Sequence, residues 1–225
     1  GGACGAGGAS GSGAGASPPG DSEELLARVR KQVEFYFSDA NLRRDAFMKK
    51  ELEQGAGYVK LRVLLQFNRL KALKCVSTEQ LVKALSKSET LVLSEDQTQV
   101  RRDVARAPVE AADEAALAAR TVYLEGLPLT FGIDDVGQFL ARHGRVLFVE
   151  LPRHWSTREP RGFCFAEFAS VEEANSAVVA VQGSWPSAWP ARYDGRTLRA
   201  MTKAQYLEHR HEYRRIQHAA RSGRD

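Results

Sequence analysis

Apolar segments with the periodicity of a strand and apolar segments with the periodicity of a helix follow one another along residues 120–202, in an order that few folds accommodate. Alternation of apolar and polar residues predicts four strands, and apolar residues at helical spacing predict two helices between them. In chain order, the predicted elements are the strand Val122–Leu124, the helix Asp134–His143, the strands Val146–Leu151 and Gly162–Phe168, the helix Val171–Val181 and the strand Arg196–Met201. The order βαββαβ is that of a split βαβ sandwich, in which two helices cover one face of a four-stranded sheet.

The composition excludes several classes of protein. Of the 225 residues, 43% are hydrophobic and 27% are charged, which is near the average for globular proteins. The sequence contains no run of about 18 apolar residues, so a membrane span is excluded. The three cysteines, Cys4, Cys75 and Cys164, are far apart, which excludes a disulfide framework and a zinc site of the CxxC type and fits a reducing compartment.

The net charge of +4 is unevenly distributed along the chain. Residues 21–103 carry 16 basic and 13 acidic side chains, residues 201–225 carry six and three, and the stretch between them is close to neutral. If the chain binds nucleic acid, attraction to phosphate supplies only part of the affinity. We therefore expect shape and base stacking to contribute much of it.

Residues 21–103 predict a domain of short helices followed by a hairpin. The predicted helices begin after Asp21 or Ser22, span Ala40–Phe47 with Asp39 as the cap, and span Met48–Glu53. Tyr58 and Val59 predict a short strand that leads into a buried helix. Helices followed by a two-stranded wing indicate a winged-helix domain.

Two local sequence patterns support the prediction of a winged-helix domain. Ser77 and Gln80 have the spacing of a capping box before an apolar run. Thr90–Leu93 and Gln99–Arg102 alternate in polarity around a polar turn, which predicts a β-hairpin.

The remaining segments are connecting or terminal. Residues 1–20 consist of Gly, Ala, Ser, Pro and one Cys and predict a disordered tail, because they bury too little apolar surface to order the chain. Residues 104–119 predict a linker that is partly helical, and residues 203–225 a basic C-terminal helix and tail. The insert Gly183–Arg192, with Trp185 and Trp189, predicts a loop that packs on its own sheet or docks a protein.

An aromatic side chain interrupts the polar face of the first predicted helix. The apolar stripe of this helix contains Val33 and Phe37, and at 100° per residue Phe35 lies almost opposite that stripe. Gln32 and Tyr36 lie between the two faces. A ring, an amide and a phenol on one solvated surface indicate a site that stacks on and hydrogen-bonds a ligand.

Two segments of residues 120–202 resemble the signatures of RNA recognition motifs. Arg161–Phe168, RGFCFAEF, is similar to the octamer of that family, and Val122–Leu127, VYLEGL, is similar to its hexamer. Period-two alternation places Tyr123, Phe163 and Phe165 on the sheet face opposite the helices. We expect these rings to face solvent as a possible stacking surface for RNA bases; the alternative is that they pack under the last helix or against a protein.

The segments Gln32–Phe47, QVEFYFSDANLRRDAF, and Gly57–Leu73, GYVKLRVLLQFNRLKAL, resemble the La motif of the La and La-related proteins. A La motif followed by an RNA recognition motif is the La module, which implies an α+β chain with a winged-helix La motif at residues 21–103 and an RNA recognition motif at residues 120–202. The resemblance covers about residues 22–205.

The resemblance implies an RNA-binding protein that recognises the 3′-terminal UUU-OH of RNA polymerase III transcripts in a cleft between the two domains. Phe35 stands where many La proteins have Tyr. The uridine-binding positions of the family fall on Gln32, Phe35, Tyr36, Asp45, Phe47, Phe67, Asn68 and Arg69.

Asp45 is the residue on which this expectation depends. One carboxylate accepts hydrogen bonds from both the 2′ and the 3′ hydroxyl of the last ribose, whereas DNA lacks the first hydroxyl and a 3′-phosphate repels the carboxylate. The family also uses the edge of the second strand of the RNA recognition motif, here Phe148, Val149 and Glu150, to hold the penultimate uridine.

Within the family, Arg120–Pro128 and Val149–Phe163 are most similar to the La-related protein 7 group. That resemblance implies a nuclear, monomeric protein that stably protects one noncoding RNA of the 7SK or telomerase type. The implied protein partners are a capping methyltransferase and kinase-regulatory or telomerase components. The group carries a further C-terminal RNA-binding domain, so we expect this chain to be a fragment or a divergent short protein.

Other functions are weighed against this one. A genuine La-type transient chaperone of nascent transcripts and a protein-interaction scaffold in a ribonucleoprotein both remain open. An enzyme is disfavoured, because the carboxylate pairs lack a partner His and no Gly-rich phosphate loop is present. His209 and His211 are two apart on a helix, so we expect neither a metal site nor a cofactor.

Overall fold

The computed structural model describes residues 23–73, 76–111, 113–184 and 197–222. It divides the chain into two compact units, Gly1–Val109 and Glu110–Asp225, and each is described by itself below. The predictions for the tail 1–20, the caps Asp21 and Ser22, and the Trp185/Trp189 insert fall on positions outside the described residues.

The first unit is mainly helical with a small sheet. Its helices and strands in chain order are α1 (Glu23–Tyr36), α2 (Asp39–Leu42), α3 (Ala46–Gln54), β1 (Tyr58–Lys60), α4 (Leu61–Leu64), α5 (Asn68–Ala72), α6 (Thr78–Leu85), β2 (Leu91–Leu93) and β3 (Gln99–Arg102). The strands form an antiparallel sheet in the order β1-β3-β2. The predicted hairpin is thus confirmed, and β1 extends it to three strands.

The apolar stripe of α1 forms one side of the core. Leu26, Val29, Val33 and Phe37 are all buried, as the helical spacing predicts. They pack with buried leucines of the following helices in a single cluster. The capping box at the start of α6 is also confirmed, because the Ser77 side chain accepts from the Gln80 backbone N–H and the Gln80 side chain accepts from the Ser77 backbone N–H.

The helix boundaries after α1 differ from the prediction. Ser38, not Asp39, caps α2, and its hydroxyl accepts from the backbone N–H of Asn41 at 3.3 Å. The predicted single helix 40–47 is wrong, because the chain bends after Leu42 and a new helix starts at Ala46. Asp45 caps that second helix.

Asp39 instead forms an ion pair that joins the helices to the sheet. Arg102 in β3 donates from Nη1 to Asp39 Oδ1 at 2.6 Å and from Nη2 to Oδ2 at 2.9 Å. The same guanidinium also donates to the carbonyl oxygens of Phe37, Ala107 and Pro108. Charge-assisted, bidentate ion pairs of this kind fix the relative positions of the two side chains as well as adding stability.

The second unit is a four-stranded antiparallel sheet with helices. Its elements are α7 (Glu114–Ala119), β4 (Thr121–Glu125), α8 (Ile133–Leu140), β5 (Val146–Glu150), β6 (Phe163–Phe168), α9 (Val171–Val181), β7 (Arg199–Thr202) and α10 (Lys203–Ser222). The strand order is β5-β6-β4-β7. Mixed helix and strand in this order confirm the predicted α+β fold class. The segment predicted as a linker contains α7, which packs against α9, α10 and β4.

Alternate residues of the central strands face the helices and form the core of the second unit. Val122 and Leu124 of β4 and Cys164, Ala166 and Phe168 of β6 are fully or almost fully buried there. Cys164 points into the core, as predicted, and burial raises the pKa of its thiol to about 12. Residues between these positions lie on the opposite face of the sheet.

Candidate nucleic-acid interface

A cavity of about 840 Å³ opens in the first unit between the start of α3 and the helices α4 and α5. Its wall combines aromatic rings, cations, carboxylates and amides. The lining residues are Tyr36, Asp45, Phe47, Glu51, Arg62, Val63, Gln66, Phe67, Asn68 and Arg69. Three segments far apart in sequence therefore converge on one surface.

Three rings and Val63 form the apolar part of the wall. Phe67 lies edge-on to Tyr36, with centroids 4.8 Å apart, and edge-on to Phe47, with centroids 5.6 Å apart. Tyr36 is buried, whereas Phe47 is 52% exposed. Phe47 thus contacts Phe67 and keeps about half of its surface exposed, so part of its ring is accessible for base stacking.

The carboxylate of Asp45 is held at the mouth of this cavity by two hydrogen bonds. Oδ1 accepts from the backbone N–H of Met48 at 3.0 Å, which caps α3, and Oδ2 accepts from Asn41 Nδ2 at 3.3 Å. Asn41 is itself fixed, because Nδ2 also donates to the Tyr36 carbonyl. An ionised carboxylate has about four acceptor positions, so each oxygen of Asp45 retains capacity for a further donor.

Beside Asp45 lies a buried phenol with an unsatisfied hydroxyl. Within the described ranges, neither the Tyr36 hydroxyl nor the Gln32 amide nitrogen has a hydrogen-bond partner of good geometry, although the two groups are neighbours. Burial raises the pKa of Tyr36 to about 12, with Arg69 opposing and Asp45 reinforcing the shift. Buried polar groups without partners are uncommon in folded proteins, and at a cavity wall such a group is able to accept a hydrogen bond from a ligand or donate one to it.

Sequence reasoning did not identify four of the lining residues, namely Glu51, Arg62, Val63 and Gln66. Arg62 brings a second cation to the cavity besides Arg69. Arg62 and Gln66 are four residues apart across the end of α4, a spacing that places them on one side of a helical turn. That spacing is the sequence feature that could have identified the two residues. Only the packing of α4 against the rest of the unit shows that this side faces the cavity.

Six of the eight positions implied by the family resemblance line the cavity, namely Tyr36, Asp45, Phe47, Phe67, Asn68 and Arg69. Gln32 and Phe35 do not line it. The prediction that Gln32, Phe35 and Tyr36 share one solvated surface is wrong. Tyr36 is buried, and Phe35 is half-buried, packs against the core and lies 6.3 Å from the Tyr36 ring, measured between ring centroids.

Of the three rings expected to face solvent on the second unit, Tyr123 and Phe165 are in contact with α10. Tyr206 stacks on Tyr123 and contacts Phe165 edge-on, with centroids 4.4 and 5.4 Å apart. Tyr123 is only 8% exposed, while Phe163 and Phe165 are half-buried. The prediction that all three rings face solvent is therefore wrong, and for Tyr123 and Phe165 the structure shows the alternative, packing under the last helix.

Phe148, Val149 and Glu150 lie in β5, an edge strand of the sheet. Val149 pairs in register with Ala166 and packs against the core, so its side chain lies on the helix-covered side. Phe148 and Glu150 alternate to the other face, beside Glu167 and Phe165 of β6. If this strand binds RNA, the backbone edge and these two side chains provide the contacts, and Val149 contributes little directly.

None of the helices among the described residues is long and apolar enough to cross a membrane. No group of three or more His, Cys, Asp or Glu side chains in those ranges is arranged to hold a metal ion.

Comparison with known families matches both units. Residues 29–87 match the model of the La domain, and residues 122–186 match the model of the RNA recognition motif. The first range contains the second half of α1 and all of the residues that line the cavity. The second contains β5, β6 and nearly all of β4, whereas β7 lies beyond it.

The chain is also similar to curated proteins of two groups. The chain is 37% identical over 157 residues to La-related protein 7 of Danio rerio, in an alignment covering 69% of this chain and 27% of that protein. It is 31% identical over 203 residues to the Lupus La protein homolog of Mus musculus, covering 87% and 46% of the two chains. This chain thus spans about a quarter to a half of the length of these relatives.

Among solved structures, the La autoantigen N-terminal domain is 42% identical to this chain, with a TM-score of 0.36, and the match covers 40% of this chain and 94% of that one. The family models identify the two units. The chain consists of a La domain followed by an RNA recognition motif and is related to La-related protein 7 and to the La proteins.

Proposed function

We propose that the cavity of the La domain binds the 3′ end of an RNA that terminates in uridines with a free hydroxyl, UUU-OH. The observation that carries the proposal is the Asp45 carboxylate, fixed beside exposed Phe47 in a cavity lined by rings and cations. The unused acceptor positions on its two oxygens match the 2′ and 3′ hydroxyls of a terminal ribose.

The rest of the cavity supplies the other contacts that a uridine end requires. Phe47 offers a face for a base, and stacking of one base on an aromatic ring contributes about 1–3 kcal/mol. Arg62 and Arg69 line the same wall and attract the backbone phosphates. The Tyr36 hydroxyl gains a partner when a uracil oxygen or a ribose hydroxyl approaches it.

The test compares RNA ends rather than protein variants. Fluorescence anisotropy measures the affinity of the full chain for a labelled short RNA ending in UUU-OH, for the same RNA with a 3′-phosphate, and for one with a terminal 2′-deoxyribose. We expect each altered end to bind about tenfold or more weakly, because each loses a hydrogen bond to a charged group. Equal affinity for all three ends contradicts the proposal.

A matched pair of variants then assigns the effect to Asp45. Asp45→Asn keeps a side chain that caps helices well but removes the negative charge. Asp113→Asn makes the same change at another helix cap, where Asp113 accepts from the backbone N–H of Ala115 at 3.0 Å. We expect only the first variant to lose discrimination against the 3′-phosphate. Loss in both variants, or in neither, rejects the role of Asp45.

We further propose that the chain acts in the nucleus on one stable noncoding RNA, of the 7SK or telomerase type, together with ribonucleoprotein partners. The 37% identity to La-related protein 7 of Danio rerio supports this. Sequencing of RNA crosslinked to the protein in cells, with imaging of its location, tests it. A single dominant RNA is the expected result, whereas many nascent transcripts indicate a transient chaperone of the La type.

A further inference from the structure

Glu51 places a second carboxylate on the wall of the La-domain cavity. It lies in α3 four residues after Phe47, a spacing that puts the two side chains next to each other on one side of the helix. Asp45 caps the start of the same helix. Along α3, the cavity thus presents a carboxylate, an aromatic ring and a second carboxylate, in that order.

The Glu51 carboxylate is not engaged by the rest of the La domain. Among the residues that the structure describes, its half-buried side chain has neither a hydrogen-bond partner nor an ion-pair partner, although Arg62 lines the same wall. A carboxylate repels the phosphates of a bound RNA, so it lowers the affinity unless the ligand donates a hydrogen bond to it. A carboxylate in this position therefore selects ligands that bring a donor to it.

The separation of the two carboxylates matches the length of one nucleotide. Glu51 follows Asp45 by six residues, which corresponds to about 9 Å along the helix axis. A span of this order accommodates one pyrimidine nucleoside with a hydrogen bond at each end. The ribose hydroxyls lie at one end of the nucleoside and the Watson–Crick edge of the base at the other. With the ribose on Asp45 and the base stacked on Phe47, that edge points along α3 toward Glu51.

Uracil and cytosine differ at the atom of this edge that is central to base pairing. Uracil carries an N3–H, which donates to a carboxylate, whereas the N3 of cytosine carries a lone pair, which a carboxylate repels. Gln66 lines the same cavity, and its amide nitrogen is a donor for the uracil O4 beside N3. An acceptor and a donor on one wall are thus complementary to the donor and acceptor of uracil.

We propose that Glu51 selects uracil at the last nucleotide of the RNA, by accepting a hydrogen bond from N3–H of the base that stacks on Phe47. The inference rests on the proposed function, because the ribose of the same nucleotide lies on Asp45. It goes further in assigning the choice of base to a second carboxylate. Arg62 on the same wall offsets the charge of Glu51 and so limits its repulsion of the RNA backbone.

The test measures the fluorescence anisotropy of three labelled short RNAs with the full chain. The RNAs differ only in the last nucleotide, which is uridine, cytidine or 3-methyluridine, and each has a free 3′ hydroxyl. We expect the cytidine and 3-methyluridine ends to bind about 10- to 150-fold more weakly than the uridine end, because both lack the N3–H that donates to a charged acceptor.

Glu51→Gln assigns this preference to the carboxylate. The amide of the variant accepts from the N3–H of uracil and, after rotation, donates to the N3 of cytosine. We therefore expect the ratio of the affinities for the uridine and cytidine ends to fall to about one. Glu53→Gln is the matched control, because it makes the same change at an exposed position of α3 that does not line the cavity. We expect this control to keep the ratio of the parent chain.

The proposal is overturned if the parent chain binds the uridine and cytidine ends equally, or if Glu51→Gln discriminates between them as the parent chain does. The comparison of hydroxyl and phosphate ends separates this failure from failure of the proposed function. A preference for the free hydroxyl without a preference for uracil rejects the role of Glu51 alone. Loss of the preference for the hydroxyl rejects the proposed function itself.

Discussion

Tyr206 of α10 stacks on Tyr123 of β4, with ring centroids 4.4 Å apart and ring planes inclined by 23°. The Tyr123 hydroxyl donates to Glu125 Oε2 at 2.6 Å, so this side chain is engaged at both its face and its tip. Lys203 lies over the Phe165 ring, 5.6 Å from its centroid. The C-terminal helix thus occupies the sheet face on which RNA recognition motifs often stack bases.

Removal of the Tyr206 ring is expected to open that face. Tyr206→Ala loses an aromatic pair worth about 0.5–1.5 kcal/mol, which lowers the free energy of unfolding of the second unit. It also exposes Tyr123 and Phe165, so we expect tighter binding of single-stranded RNA with a 3′-phosphate. Tyr206→Phe keeps the ring and serves as the control. If the two variants bind RNA equally, α10 is not what limits access to the sheet.

The ion pair of Arg102 with Asp39 is expected to be a major contributor to the stability of the first unit. Both side chains are mostly buried, at 15% and 16% exposure. Arg102→Ala leaves a carboxylate and several carbonyl groups without their donor, so we expect a loss of about 3–5 kcal/mol in the free energy of unfolding by urea. The matched control is Lys87→Ala, which breaks the solvent-exposed pair with Glu23. A similar loss in both variants contradicts the prediction.

Tyr36→Phe is expected to stabilise the La domain and weaken its binding to uridine ends. The substitution removes a buried hydroxyl that lacks a partner, which we expect to raise the free energy of unfolding by about 1 kcal/mol. Under the proposed function, the same hydroxyl gains a hydrogen bond from the bound RNA, and the substitution removes it. Urea unfolding and anisotropy with UUU-OH RNA measure the two effects. A destabilised variant with unchanged affinity contradicts both parts.

The raised pKa of Tyr36 also predicts that the free energy of unfolding of the first unit depends on pH. Its pKa is raised from 10.0 to about 12, chiefly by burial, so the folded unit binds the phenol proton more tightly than the unfolded chain does. This contribution to stability is complete below about pH 10 and is lost as the pH rises toward about 12. We expect Tyr36→Phe to flatten the fall in stability across this range. An unchanged slope excludes Tyr36 as its source.

Cys164 is expected to resist alkylation in the folded chain. Burial raises the pKa of its thiol from 9.0 to about 12, and only the thiolate reacts rapidly. After treatment with iodoacetamide near pH 8, peptide mass spectrometry is expected to find Cys164 unmodified in buffer and modified in denaturant. Rapid modification in buffer contradicts its burial in the core.

The periodicity of apolar residues predicted the buried side chains of those elements in which burial depends on the spacing of residues along the chain. The stripe through Val29 and Val33 and the alternation in β4 and β6 follow directly from the helical and strand repeats. Periodicity alone did not predict the lining of the cavity, because Arg62 and Gln66 reach it only through the packing of α4 in the unit. Likewise, the burial of Tyr123 depends on where α10 packs against the sheet. The helical periodicity of α10 does not specify that position.

Short polar residues explain the wrong helix boundaries. Ser38, Asp39 and Asp45 are all good capping residues, and the sequence alone does not distinguish a cap from a partner in an ion pair. Arg102, more than sixty residues further along the chain, engages Asp39 and leaves the cap of α2 to Ser38. Asp45 then caps α3, a role that the family resemblance does not imply.

That cap has a consequence for recognition. The Met48 amide and Asn41 both donate to the Asp45 carboxylate and so hold it in one orientation. Under the proposed function, this preorganisation lowers the entropic cost of binding a terminal ribose, and we expect tighter binding than a freely rotating aspartate would give. The first turn of α3 then contributes to the proposed recognition of RNA ends by fixing the orientation of its own capping side chain.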